Sequence, residues 1–251
     1  MNDRQKLIND FIQGRNEVSI SQLKELVPDV SEMTIRRDLE VLEGAGRIVR
    51  IHGGARSVKA INMLVEDVFS KRSATNVGKK RKIAEKALSY IEENSSVYID
   101  AGSTMMTLAE LIQDKHILVS TCGINIAAEL LKHKDCRINL IGGEVNKSSI
   151  STYGPTARAG VEGLNIDVAF IAATAFSEKC GFSCGNIHDC EIKKTILSRA
   201  TLRVLLMDSS KVGSVMPYTF ARPGDIDIII SDDELSDDVR TFFEENGAKV
   251  L

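Results

Sequence analysis

The 251-residue chain has no apolar run approaching the roughly 20 residues that a membrane-spanning helix needs. Its first ten residues, MNDRQKLIND, are polar and lack the apolar stretch of an export leader, so a cytoplasmic protein with no membrane partner is expected. Cysteines number five, an odd count in a chain without an export signal, which argues against a disulfide framework. Gly-x-Gly-x-x-Gly is absent. The nearest approach to a Walker loop, Gly142 to Lys147-Ser148, lacks the glycine before lysine and precedes no evident helix, so no nucleotide cofactor is expected, and no other cofactor either. Positive charge is not in excess: 32 Lys and Arg face 35 Asp and Glu, a net charge of −3. What remains is an ordinary soluble composition, 43% hydrophobic and 27% charged, in a length that suits two domains.

The charge is unevenly distributed. Arg47, Arg50, Arg56 and Lys59 fall in a stretch without acids, whereas the acidic excess lies in the tail from Asp232 to Glu245. Phosphate contact depends on such local clusters, while net charge mainly limits non-specific adhesion. Just before the basic stretch, a helix read from Ser31 places Ile35, Leu39 and Leu42 at i, i+4, i+7 on one side. Met33, Arg36, Arg37 and Glu40 then share the opposite face. Ser31 stands at the N-cap, and Gly44 and Gly46 stop the helix. A strand, Arg47–Ile51, and a tight turn at Gly53-Gly54 follow. Upstream, a helix over Arg4–Arg15 groups Leu7, Ile8, Phe11 and Ile12, and a second over Ser21–Val27 carries Leu23, Leu26 and Val27. The turn Pro28-Asp29 separates the second helix from Ser31. Three short helices and a hairpin within residues 1–58 predict a winged helix-turn-helix whose third helix suits a DNA major groove. The alternative on pattern alone is a small helical dimerisation or protein-binding domain, with solvated arginines.

The run Ser31-x-x-Thr34-Ile35-Arg36-Arg37-Asp38-Leu39-x-x-Leu42, followed by Gly46, Arg50 and His52-Gly53-Gly54-Ala55, resembles the amino-terminal signature of the DeoR family of bacterial transcriptional regulators. The resemblance implies a double-stranded DNA operator as partner, with Ser31, Thr34, Arg36, Arg37, Arg50, His52, Gly53 and Gly54 at the interface; the outer helix face adds Met33 and the basic stretch adds Arg47. It also implies a carboxyl-terminal domain that senses a phosphorylated sugar and is related to ribose-phosphate isomerases and glucosamine-phosphate deaminases.

Residues 59–76 show no clear periodicity and are read as a linker; residues 77–251 would form the second domain. Six basic residues crowd the segment Lys71–Lys82, which could add to a DNA-facing surface or open a solvated helix. Lys82-Ile83-Ala84 begins an amphipathic helix through Ile91. Apolar runs at Val97–Ile99, Ile117–Val119, Ile138–Ile141, Val168–Ala172, Val204–Met207 and Ile226–Ile230 then alternate with helical patterns at Thr104–Ile112, Ile124–Leu131, Glu191–Ala200 and Leu235–Asn246. Buried strands alternating with helices predict an α/β, Rossmann-like, mostly parallel sheet covered on both faces. Ligands in such sheets sit at the carboxyl ends of strands near a switch in strand order. The strand ends here read Asp100-Ala101-Gly102-Ser103-Thr104, Ser120-Thr121-Cys122-Gly123, Gly142-Gly143 and Asp208-Ser209-Ser210-Lys211. Small and hydroxyl residues before a helix amino terminus, with a lysine at the same edge, suit a phosphorylated ligand.

These turns resemble the four ligand loops of DeoR-type sensing domains. The resemblance implies effector contacts from Asp100, Gly102, Ser103, Thr104, Thr121, Cys122, Gly142, Gly143, Asp189 and Lys211. Two positions depart from the family pattern: Ser103 replaces a threonine and Cys122 replaces an asparagine. The segment Asp189-Cys190-Glu191-Ile192-Lys193 resembles the family's Glu-Ala-x-Val-Lys run, with aspartate one carbon shorter at its start.

Because related folds isomerise or deaminate sugar phosphates, an enzyme with a fused DNA-binding domain is the alternative. Asp100, Asp189 and Glu191 would be its acids and bases. The deaminase relatives carry an Asp-Gly-His-type loop where this chain has Ile171–Phe176, without histidine or carboxylate. No catalytic residue is therefore assigned. A DNA-binding architectural protein whose second domain only oligomerises is a third possibility, opposed by the hydroxyl-rich strand ends. Cys180, Cys184, His188 and Cys190 fall within eleven residues at spacing unlike paired zinc knuckles, so no metal is expected. Paired operator half-sites imply a homo-oligomer, dimer or tetramer.

Overall fold

Two serines set the start of two helices in the amino-terminal part of the computed structural model. The structure describes residues 2–15, 17–51, 53–57 and 67–251; His52 and the expected linker residues 59–66 lie outside them. The chain divides into two units, residues 1–66 and 67–251. In the first, helix α1 (Asp3–Arg15) precedes strand β1 (Glu17–Ser19). Helix α2 (Ile20–Leu26) is opened by a capping box between Ser19 and Gln22. Helix α3 (Glu32–Gly44) begins at Ser31, whose hydroxyl accepts the Thr34 N–H at 3.2 Å. It ends as expected for glycine in a left-handed conformation: Gly46 has φ +67°, its N–H donates to Glu43 O at 2.8 Å, and the Arg47 N–H donates to Leu42 O at 3.0 Å. Strands β2 (Ile48–Ile51) and β3 (Gly54–Ser57) complete an antiparallel sheet in the order β1-β3-β2. Ile8, Ile12, Leu23, Ile35, Leu39, Leu42 and Ile48 form its core.

Two expectations for this unit change. Leu7 is 48% exposed rather than part of the α1 apolar face, and β1 adds a third strand to the expected hairpin. Three residues are too short to show alternation. Gly54 explains the close pairing: a Cβ there would lie 2.1 Å from Val18 O.

The second unit is a seven-stranded sheet whose strand pairs are all parallel. Its strands are β4 (Ser96–Ile99), β5 (Leu118–Thr121), β6 (Arg137–Leu140), β9 (Ile166–Ala172), β12 (Ala200–Leu206), β14 (Ile228–Ile230) and β15 (Lys249–Val250). In spatial order they run β15-β14-β12-β9-β4-β5-β6, so the progression reverses between β4 and β9. Helices α4 (Phe69–Ala74), α5 (Val77–Ala87), α6 (Ser103–Leu111), α7 (Ile124–Leu130), α8 (Pro155–Glu162), α9 (Ile187–Arg199) and α10 (Asp237–Glu245) accompany the sheet. Two apolar clusters cover its faces. One centres on Tyr98, Ile171, Phe176 and Phe182, the other on Ile83, Val97, Leu108 and Phe170. Continuous apolar strands such as Ile228-Ile229-Ile230 require this double cover.

Residues 67–76 are not part of a linker: they form α4 and the entry to α5, which starts five residues before the expected Lys82. The edge strand β15 and the small strands β7 (Glu144–Asn146), β8 (Ser151–Tyr153), β10 (Ala175–Ser177), β11 (Gly181–Cys184) and β13 (Tyr218–Ala221) are not among the expected apolar runs. The small strands build a β7-β8 ribbon and an antiparallel β10-β11-β13 sheet, too short or irregular to show a period.

Candidate nucleic-acid interface and effector site

On the amino-terminal unit, the buried α3 positions Ile35, Leu39 and Leu42 leave Met33, Arg36, Arg37 and Glu40 outside. Met33 is 62% exposed at the first turn. Ser31 and Thr34 stand at the helix start with hydroxyls 3.0 Å apart, so both shape the cap. Arg47 is exposed, and its carbonyl accepts Gln13 Nε2 at 3.0 Å. Gly53 adopts φ +79° between β2 and β3, with its carbonyl accepting the Ile20 N–H at 2.8 Å. Gly54 lies in the β1-β3 pairing and is buried, which makes it a folding residue rather than an exposed contact.

Arg50 has partners within the unit. Its Nε donates to Glu43 Oε2 at 2.8 Å and its Nη1 to Glu40 Oε1 at 2.8 Å. Its own backbone N–H donates to Glu43 Oε1 at 2.9 Å. Those donors hold Glu43 below the usual carboxylate range, with the backbone bond contributing most. Arg50 is thus tied to α3 by two carboxylates while its side chain stays 43% exposed. Sequence reasoning also missed the Asp38 anchor. This carboxylate, 3% exposed, takes Arg4 Nε at 2.6 Å and Gln5 Nε2 at 3.0 Å, fastening α1 to α3.

In the second unit, Asp100 closes β4 at the reversal of strand order. Its Oδ2 accepts the Ala172 N–H at 3.0 Å and pairs with Lys193 Nζ, which also donates to Ala172 O at 2.9 Å. Lys193 and Asp100 are 6% and 5% exposed. Burial lowers the lysine's affinity for its proton, but the Asp100 charge and hydrogen bond outweigh it, and the ammonium stays above its usual range. The pair bridges β4 and β9 where the order switches. Lys193 was not among the expected site residues.

Gly102 follows with φ +148°, facing only the Ala172 Cβ, and serves as the N-cap of α6 without a side-chain cap. Ser103 and Thr104 open that helix and are both buried. Asp189 lies in the first turn of α9, and its charge acts on Lys193, Tyr98 and Cys122. Gly142 and Gly143 are exposed after β6. A Cβ on Gly143, which has φ +152°, would approach Tyr153 O to 2.5 Å.

Two expected polar contacts turn inward. Thr121 is fully buried and its Oγ1 accepts the Gly123 N–H at 2.9 Å, shaping the turn. Cys122 is 4% exposed, takes a hydrogen bond from Tyr98 Oη at 3.6 Å, and has its thiol pushed up to about 11 by burial. Lys211 ends the 3₁₀ turn Ser209–Lys211 and is half-buried. The Asp208–Ser210 part of that loop faces α5. Asp208 Oδ1 accepts Asn76 Nδ2 at 3.0 Å, and Ser209 Oγ accepts Lys79 Nζ at 2.8 Å. The charge of Lys211 acts on Lys80, whose Nζ closes the end of α4 by donating to Arg72 O and, at 2.5 Å, to Thr75 O. The structure therefore gathers Asp100, Lys193 and Asp189 in one place and Lys211, Lys80 and Asp208 in another along the carboxyl-terminal edge.

Several residues of the basic segment Lys71–Lys82 pair with acids while staying exposed, Lys71 at 67% and Lys82 at 60%. Lys79 meets Asp232 at 3.3 Å and Glu234 at 2.8 Å, Lys82 meets Asp233 at 2.6 Å, and Lys71 meets Asp67 at 2.8 Å. In the cysteine cluster, Cys184 Sγ donates to Asn186 O at 3.5 Å and Cys190 Sγ to Thr219 O at 3.3 Å. Burial pushes the Cys184 thiol up to about 12. The His188 ring instead stacks 5.6 Å from Tyr153. Among the described residues, no three His, Cys, Asp or Glu side chains are placed to hold a metal ion, and no helix is long and apolar enough to cross a membrane.

Comparison with known proteins agrees with the two-unit division. Residues 4–60 match the DeoR-like helix-turn-helix domain and residues 75–233 the DeoR C terminal sensor domain. The HTH-type transcriptional regulator GolR of Listeria innocua is 29% identical, with 99% of this chain and 97% of that protein covered. The HTH-type transcriptional regulator GlpR of Haloferax volcanii is 31% identical, covering 99% and 96%, and the HTH-type transcriptional repressor GlcR of Bacillus subtilis is 29% identical, covering 99% and 95%. Among solved structures, a ribose 5-phosphate isomerase A from Methanocaldococcus jannaschii is a distant likeness, with TM-score 0.41 and 14% identity over 55% of each chain. With both domains matched in order, the chain belongs to the DeoR family of HTH-type transcriptional regulators.

Proposed function

We propose that this regulator is a repressor of a carbohydrate-metabolism operon, controlled by a phosphorylated sugar bound in residues 77–251. The supporting observation is the arrangement at the strand-order reversal. An α6 amino terminus without a side-chain cap follows Gly102, beside a buried ammonium, Lys193, that holds Asp100 in place. First-turn N–H groups and the positive end of the helix dipole suit a phosphate dianion. In this reading Ser103 and Thr104 add hydroxyl donors, Asp189 faces the sugar hydroxyls, Gly142 and Gly143 let the ligand approach backbone, and Lys211 supplies an outer cation. Lys193 positions Asp100. The GlcR relative carries the word repressor in its name, which supports the sign of control. The protein would act in the cytoplasm as a homo-oligomer on paired half-sites.

Control requires different ligand affinities for the DNA-bound and DNA-free states, since equal affinity shifts nothing. A melting-temperature series with sugar phosphates, the matching unphosphorylated sugars and inorganic phosphate tests the reading. At ligand 100-fold above Kd, stabilisation is about 2.7 kcal/mol, which is several degrees for a unit of this size. A rise confined to phosphorylated sugars is expected; a rise with free sugars alone, or none across the panel, contradicts it.

A further inference from the structure

Beyond the shared apolar core, one polar side chain ties the wing strand to the recognition helix. Arg50, on β2, reaches back over α3 to Glu43 seven residues and Glu40 ten residues earlier. Its backbone N–H and its Nε hold the two oxygens of the same Glu43 carboxylate. That arrangement sets both the position of the β2 backbone and the direction of the arginine, as a lone surface ion pair would not.

The charges explain why such a tie is needed. Arg36, Glu40 and Glu43 run down one stripe of α3 at i, i+4, i+7, and Arg36, Glu43 and Arg50 line a cleft of about 300 Å³ floored by Ile20, Leu39 and Ile51. Glu40 is 56% exposed on the side that carries Arg36 and Arg37. Two carboxylates three residues apart would repel one another and any approaching phosphate backbone. Arg50 touches both.

Resting on the DNA-binding reading of this unit, we propose that Arg50 is a positioning residue. It fastens the wing strand to the recognition helix and cancels Glu40 and Glu43, and it does not itself grip phosphate. Arg36, Arg37 and Arg47 then carry the contacts.

A mutant cycle on the full-length protein tests this, with affinity measured by fluorescence anisotropy on a duplex selected by the wild-type protein. Failure of the wild type to select any duplex would refute the DNA-binding reading itself and is separable from the result below. Arg50→Ala is compared with wild type, and again in a Glu40→Gln/Glu43→Gln background, with circular dichroism establishing that each variant is folded. If Arg50 acts through the glutamates, its removal weakens binding at least tenfold in wild type and less than threefold in the glutamine background. Equal or larger loss in the glutamine background means a direct phosphate contact and overturns the proposal. So does undiminished binding by Arg50→Ala.

Discussion

Replacing Lys193 by methionine keeps the length of the side chain and removes its charge. Asp100 would then be left 5% exposed with the Ala172 N–H as its remaining hydrogen-bond donor, and Ala172 O would lose its ammonium partner. Removing one member of a buried pair costs about 3–5 kcal/mol, because the other charge stays uncompensated. Replacing both by apolar residues of similar volume is often neutral, so Asp100→Leu/Lys193→Met should recover most of that loss. Urea unfolding followed by emission from the four tyrosines, Tyr90, Tyr98, Tyr153 and Tyr218, would report the transition of residues 67–251, while circular dichroism follows both units. The pH dependence has a definite sign. Because Asp100 lifts the Lys193 pKa despite burial, the contribution is complete below the unfolded lysine value of about 10.4 and is lost as pH rises through the higher folded value. A Lys193→Met loss under about 1 kcal/mol, or a double variant no better than the single, would refute the reasoning.

Three further outcomes are expected. An Arg36→Ala/Arg37→Ala double variant should lose DNA affinity, by about 1–3 kcal/mol for each arginine that reads a guanine; binding equal to wild type by anisotropy would remove both from the interface. Lys211→Ala should weaken sugar-phosphate binding about 10- to 100-fold, in line with roughly 1.5–3 kcal/mol for a charge-assisted bond. DNA affinity without ligand should stay unchanged, and calorimetric titration showing equal ligand affinities would exclude Lys211. Native protein at pH 8 should expose only Cys180 to rapid thiol labelling, because Cys122, Cys136, Cys184 and Cys190 are buried and Cys122 and Cys184 are pushed up to about 11 and about 12. Stoichiometric zinc in metal analysis, lost in Cys184→Ser, would contradict that account of the cluster.

Much of this architecture was visible in residue patterns. Ser31 and Gly46 bracket α3 in the sequence as they do in space, because capping chemistry is local. Six of the seven parallel strands were legible as apolar runs because both faces of the sheet are covered; the two-residue edge strand β15 was too short to read. Lys193 stands in the run that resembles the family's Glu-Ala-x-Val-Lys segment, but it gained no site role because lysine in a helix reads as solvated. Yet Cys190, Lys193, Ile196 and Leu197 share one buried face at i, i+3, i+6, i+7, and Lys80 lies in the same way with Ile83, Ala84 and Ala87. A lysine on an apolar face was the available signal. The partnership of Arg50 with Glu40 and Glu43, and of Lys79 with Asp232 and Glu234, crosses between elements and leaves no period to read. Thr121 and Cys122 sat in the expected loop, but their side chains satisfy the turn and the core, which only the local backbone direction decides.

The most direct test of a sugar-phosphate-controlled regulator is a linked titration. The phosphorylated sugar that raises the melting temperature is added to full-length protein on its selected duplex, and DNA affinity is followed by anisotropy. Ligand affinity is measured with and without DNA by calorimetry. Coupling of about 1–3 kcal/mol should shift DNA affinity roughly 5- to 150-fold, and reciprocity requires DNA to shift ligand affinity by the same factor. A ligand that saturates the protein while the DNA affinity stays constant would contradict the proposed control.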